Sequence, residues 1–119
     1  IHEQLQSGSL EIIDGEGELF HGLSYFPTPG HTPGCYSLQF VSNDRDRVII
    51  AGDAIKYAKE AIMARCDNAF DTIENGTNSI HRILQNADRI VPGHFSELIR
   101  QENGAFAWTE DSELNLILR

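Results

Sequence analysis

The sequence predicts a mixed α+β domain built in layers. Two observations carry that prediction. Short segments with period-2 alternation run to Val41, and an apolar strand, a helical stripe and a second apolar strand then follow one another. At 119 residues the chain is read as one domain.

The elements follow in order. Leu10-Glu11-Ile12-Ile13 and the stretch from Leu19 to Phe26 are predicted as antiparallel strands, joined by the acidic turn Asp14-Gly15-Glu16-Gly17. Cys35 to Val41 is a third strand, with Tyr36, Leu38 and Phe40 on one face and Ser37 and Gln39 on the other. The polar run Ser42 to Arg47 is a hairpin loop. Val48-Ile49-Ile50-Ala51 is continuously apolar, as in a central strand covered on both faces, and ends at Gly52-Asp53. Ala54 to Arg65 contains good helix formers. A stronger helical stripe joins Phe70, Ile73, Ile80, Leu84 and Ala87, with Asp67 or Asn68 as the expected cap. Asn75-Gly76 is its weak point, because Gly costs about 1 kcal/mol relative to Ala in a helix. Asp88 to Val91 reads as a short buried strand closed by Pro92-Gly93, and the tail from Phe95 as helix or coil.

Charge excludes some functions. Nine basic against eighteen acidic residues give a formal net charge of −9. A phosphate-backbone binder needs clustered Lys and Arg, and an anionic membrane surface would repel this chain. Neither nucleic acid nor membrane is expected as a partner. Two cysteines make no disulfide scaffold, and no targeting pattern is present, so the expected setting is cytoplasmic. The first residue is Ile1 rather than Met, which raises the expectation of a longer parent chain.

Three segments share one design. Thr28-Pro29-Gly30-His31-Thr32-Pro33-Gly34, Ala51-Gly52-Asp53-Ala54 and Val91-Pro92-Gly93-His94 each set a turn-forming residue beside a metal-binding side chain near a strand end. Imidazole nitrogen and carboxylate oxygen suit zinc. Rigid strand ends hold such ligands with small positional error. Alone, each segment is as readily a turn or a helix cap. Together they repeat one pattern, and His31, Asp53 and His94 are the candidate metal ligands.

In order and separation these three motifs closely resemble the metallo-β-lactamase superfamily, from Leu19 to Phe95. The resemblance implies a four-layer αββα sandwich with a metal site, usually dinuclear, at one edge of its two sheets. It implies that His31 serves one metal, that Asp53 bridges both and that His94 serves the second. One or two zinc ions are implied, and the same donors accept Fe or Mn. The implied nucleophile is a water or hydroxide held between the metals. Asp53-Ala54-Ile55-Lys56-Tyr57-Ala58-Lys59-Glu60 and Ser79-Ile80-His81-Arg82 are similar to the N-acyl homoserine lactone lactonase branch. There a tyrosine after the bridging aspartate touches substrate, a role open to Tyr57, which is otherwise a packing aromatic. Glyoxalase-II-like thioesterases have a similar first motif.

The sequence departs from the family in one respect. It contains no His-x-His-x-Asp-His run; His2 is followed by Glu3-Gln4-Leu5. Residues 1–119 are therefore expected to be a single partial domain, the C-terminal half of the fold, with a sheet face that needs a partner. That partner is expected to be a second copy or the missing N-terminal half. The expected function is hydrolysis of a small-molecule ester, lactone or thioester, with Asp53 and Tyr57 at the reacting centre. The alternative is a catalytically silent half-domain acting as an oligomeric structural or interaction module. His21 and His81 are read as ordinary surface or packing histidines, and His2, close to the terminus, as disordered. Cys35 either approaches the metal or packs as a small strand residue, and Cys66 has no base beside it.

Overall fold

The computed structural model describes residues 13–108. Within them seven strands form one sheet in chain order: β1 (Gly17–Phe20), β2 (Leu23–Pro27), β3 (Tyr36–Val41), β4 (Arg47–Gly52), β5 (Arg89–Pro92), β6 (Leu98–Arg100) and β7 (Phe106–Trp108). All neighbours pair antiparallel except β4 and β5, which are parallel. A parallel pair requires a crossover, and this one contains both described helices, α1 (Ala58–Met63) and α2 (Ile73–Asn86). No helix among the described residues is long and apolar enough to cross a membrane.

The core lies between the helices and one face of the sheet. Phe26, Ile49, Ala51, Ile90 and Leu98 from the strands meet Ala58, Ala61, Ile80, Ile83 and Ala87. Strand β4 is central, as predicted, with Val48, Ile49 and Ala51 each at 3% exposure or less and Ile50 half-buried. Strand β3 faces opposite to what its apolar pattern implies. Ser37 is the fully buried residue, its hydroxyl 2.9 Å from Thr28 Oγ1 and 3.4 Å from the Ala51 carbonyl. Tyr36, Leu38 and Phe40 occupy the other face and are half-buried. Tyr25 and Ile50 lie beside Leu38 there, and Val91 lies beside Ile50. This is the apolar side that a second sheet covers in a sandwich.

Several elements differ from the sequence reading. Leu10 to Ile12 lie outside the described residues, so that strand is untested. The stretch Leu19 to Phe26 is two strands, because His21-Gly22 forms a tight turn with Gly22 at φ +87°. Helix α1 starts only at Ala58, since the chain from Asp53 turns twice before it. Helix α2 starts at Ile73 and is capped by Thr72, whose hydroxyl accepts from Asn75 N at 2.9 Å. Asp67 and Asn68 do not cap it. Its buried residues are Gly76, Ser79, Ile80 and Ile83, while Phe70 lies outside the helix and Ile73 is exposed. In the described part of the tail, β6 and β7 form a hairpin turned at Asn103-Gly104 in place of helix or coil. Arg100 on β6 donates to the Ala87 carbonyl at the C-terminal end of α2, where a cation is favoured. Trp108 packs edge-on to Phe95, as expected of an aromatic needing a neighbour.

One ion pair ties the crossover to the sheet. Asp88 accepts from the guanidinium and from the backbone N–H of Arg47. The Arg47 side-chain hydrogen bond, then the backbone one, hold the Asp88 carboxyl below its ordinary value. A carboxyl lowered on folding stabilises above its unfolded value, and the contribution disappears as pH falls through the folded one. Asp88→Asn is therefore expected to lower stability near neutral pH by less than about 1 kcal/mol. The difference should shrink at acidic pH, as the Asp88 carboxyl takes up its proton. Urea melts of both proteins at neutral and acidic pH check this.

Candidate metal centre

Three turns bring the candidate ligands together. His31 lies in the loop between β2 and β3, which closes on itself through Thr28 N to the Cys35 carbonyl (2.9 Å) and Gly30 N to the Thr32 carbonyl (3.2 Å). The same loop is held from the crossover. Phe70 N donates to the His31 carbonyl (2.9 Å), Asp71 N to the Gly30 carbonyl (3.1 Å) and Ser79 Oγ to the Pro29 carbonyl (2.7 Å). Gly30 lies against Gly76 of α2 so closely that a Cβ on Gly30 would sit 2.2 Å from the Gly76 Cα. The glycine that weakens the helix in isolation is what admits the histidine loop.

Asp53 follows directly after β4, at the first turn of the crossover. His94 follows β5, the parallel neighbour, so the two strand ends deliver both side chains to one edge of the sheet. The turns are laced together by Gly93 N to the Ile55 carbonyl and His94 N to the Lys56 carbonyl, both 3.0 Å. Gly93 packs over the carboxylate. A Cβ there would meet Asp53 Oδ1 at 2.7 Å and the Gly52 carbonyl oxygen at 2.8 Å.

The resulting geometry is specific. His94 Nε2 lies 3.0 Å from Asp53 Oδ1, and His31 Nε2 lies 3.5 Å from Asp53 Oδ2. Each carboxylate oxygen thus faces a different imidazole. Two ligands of one tetrahedral zinc, with bonds near 2.0–2.1 Å, stand about 3.3 Å apart, and both separations are close to that. Two imidazoles and a carboxylate are donor types that suit a divalent metal, and here His94 Nε2 is hydrogen-bonded to Asp53 Oδ1. Among the described residues no group of three or more His, Cys, Asp or Glu side chains is disposed to hold a metal ion. The arrangement is two ligand pairs sharing Asp53, and neither pair alone completes a coordination shell. His31 Nδ1 is buried without a hydrogen-bond partner among the described residues, although a ligating imidazole ordinarily donates its other N–H.

Aromatic side chains flank both histidines. Phe70 meets the His31 ring edge-on, with centroids 5.9 Å apart, and is 79% exposed. Tyr57 is the residue before α1 rather than a member of it. Its ring centroid is 5.9 Å from that of His94 and it is 48% exposed. The other histidines stand apart, with His21 in an exposed turn and His81 bonded to the Ala64 carbonyl; His2 lies outside the described residues. Cys35 contacts Thr32 Oγ1 at 3.2 Å. Cys66 is buried in contact with α2. Burial, and then the nearby Glu60 carboxylate, push its thiol upward, away from the thiolate a nucleophile requires.

Sequence reasoning places His31, Asp53, His94 and Tyr57 without indicating their mutual geometry. It misses Phe70, whose helical spacing disguises it, and the glycine contacts. Glu60 lies in the segment Asp53 to Glu60, but nothing in the sequence signals its main-chain contacts.

A mixed sheet whose parallel central strands deliver an aspartate and a histidine to one edge, facing a loop histidine, is the architecture of a metal-dependent hydrolase fold. The chain belongs to the metallo-β-lactamase superfamily, whose family model matches residues 4–94. Among solved structures it is similar to a mutant of AiiA from B. thuringiensis with N-decanoyl-L-homoserine bound at the active site. The identity is 30% and the TM-score 0.59, over 71% of this chain and 35% of that one. An N-acyl homoserine lactone hydrolase with the product N-hexanoyl-L-homoserine bound at its catalytic metal centre matches with the same values. A probable metal-dependent hydrolase from Staphylococcus aureus shares the fold at 16% identity and TM-score 0.69, over 87% of this chain and 41% of that one. This chain therefore spans well under half the length of these structures. A comparison with curated proteins finds no match.

Proposed function

We propose that this chain forms the C-terminal part of a zinc-dependent hydrolase that opens a small-molecule ester, lactone or thioester. The observation that carries the reading is the convergence of His31 Nε2 and His94 Nε2 on the two oxygens of Asp53. These three residues would hold the metal; Fe or Mn would suit the same donors. When bound, such ions supply an activated water and polarise the bond under attack. Asp53 sets the spacing of the two imidazoles. Tyr57, exposed beside His94, would orient a substrate carbonyl through its hydroxyl. Phe70 offers an apolar surface at the His31 side. Likeness to lactone hydrolases at 30% identity favours a lactone among the three substrate classes. The acidic chain disfavours polyanions, and its two free thiols suit a reducing cytoplasmic setting.

The half-buried apolar face of β3 and its neighbours supports association with a second copy or with an N-terminal half. His31 Nδ1, buried and unpartnered among the described residues, is a group such a segment would satisfy. The same face favours the second reading, a silent half-domain that serves as an interaction module.

Titrating the acid released from an N-acyl homoserine lactone by zinc-loaded protein separates the two. Turnover that vanishes in Asp53→Asn supports the hydrolase. Turnover unchanged by that substitution contradicts it, and no turnover on lactone, ester or thioester favours the silent module.

A further inference from the structure

We infer that Glu60 is a positioning residue that sets the distance between the two histidine-bearing loops. Its side chain is 2% exposed, yet it is a carboxylate, and a buried charge persists only when its oxygens are satisfied. Both oxygens accept main-chain N–H groups, from two different segments. Oε1 accepts from Lys56 N at 2.8 Å, and Oε2 from Asp67 N at 3.0 Å.

Each segment leads to one ligand. On the first side, the peptide gripped by Glu60 carries the Ile55 carbonyl, which accepts from Gly93 N, and the next carbonyl, of Lys56, accepts from His94 N. On the second side, Asp67 opens the run that supplies Phe70 N to the His31 carbonyl and Asp71 N to the Gly30 carbonyl. One carboxylate at the centre of α1 therefore fixes the His94 turn with one oxygen and the His31 loop with the other. Asp53 lies between the two loops, and the span across which it faces both imidazoles depends on that bracket. Replacing an oxygen by an amide NH₂ sets a donor against a main-chain donor and releases one loop.

This inference rests on the metal-centre reading and is tested separately from it. Zinc affinity is measured by chelator competition, with the visible spectrum of the Co²⁺ form, for wild type, Glu60→Gln, Glu60→Asp and Asp88→Asn. All are compared at 10 °C and checked for folding by circular dichroism. Glu60→Gln and Glu60→Asp are expected to bind zinc at least about tenfold more weakly and to show an altered Co²⁺ spectrum. Asp88→Asn, remote from the site, should lose stability but keep wild-type affinity. Wild-type affinity and spectrum in the folded Glu60 variants overturn the inference, and so does unfolding of both, which marks a purely architectural carboxylate. Absence of zinc from the wild type overturns the metal-centre reading instead.

Discussion

Asp53→Ala is expected to lose zinc binding while leaving the fold intact. Asp53 provides the carboxylate in both ligand pairs, so its removal leaves two imidazoles with nothing between them. Binding at protein zinc sites is worth on the order of 10 kcal/mol. One of three donors then accounts for roughly a third of it, an affinity loss of about 100-fold or more. The effect on stability without metal should be small, because the Asp53 side chain is 39% exposed. Calorimetric titration with zinc and a thermal melt in chelator distinguish the two effects. Retained affinity in Asp53→Ala would remove the shared carboxylate from the centre.

Gly30→Ala is expected to produce the largest loss of stability. Residue 30 has φ +146°, a conformation L side chains rarely adopt, and the new Cβ would lie 2.2 Å from Gly76 Cα and 2.6 Å from Gly76 N. Those are backbone atoms of a packed helix and cannot swing aside. Overpacking alone costs about 1–3 kcal/mol, and backbone strain of about 1–3 kcal/mol adds to it. The sum should lower the melting temperature by more than about 10 °C. His31 is the next residue, so zinc affinity should fall as well. A melting temperature within about 2 °C of wild type would show that the loop and helix separate at little cost, contrary to the packing described.

The parts of this structure legible in sequence are those whose physics is local. Val48 to Ala51 and Ile90-Val91 announce a central strand and a short buried one by continuous apolarity. The three ligand motifs each pair a metal-binding side chain with a turn residue at a strand end. Other features depend on distant partners. Ser37 is buried because a helix covers its face, which its alternation pattern cannot reveal. Phe70 has helical spacing, yet its backbone N–H is committed to the His31 carbonyl, so the helix starts later, at Ile73 behind the Thr72 cap. Gly76 reads as a defect until Gly30 is seen against it. Glu60 has no signature, because its partners are main-chain N–H groups on either side of its helix. Two turns do have a local signal, a glycine after a polar residue: Gly22 and Gly104 both have φ +87°, and Asn103 Oδ1 accepts from Ala105 N.

The central claim is that His31, Asp53 and His94 form a metal centre. Zinc per chain, by elemental analysis of the purified protein beside His31→Ala, tests it most directly. One or more zinc ions per chain in the wild type, lost in the variant, is the predicted result. A wild-type chain that holds no zinc, or a variant that holds as much, would contradict it.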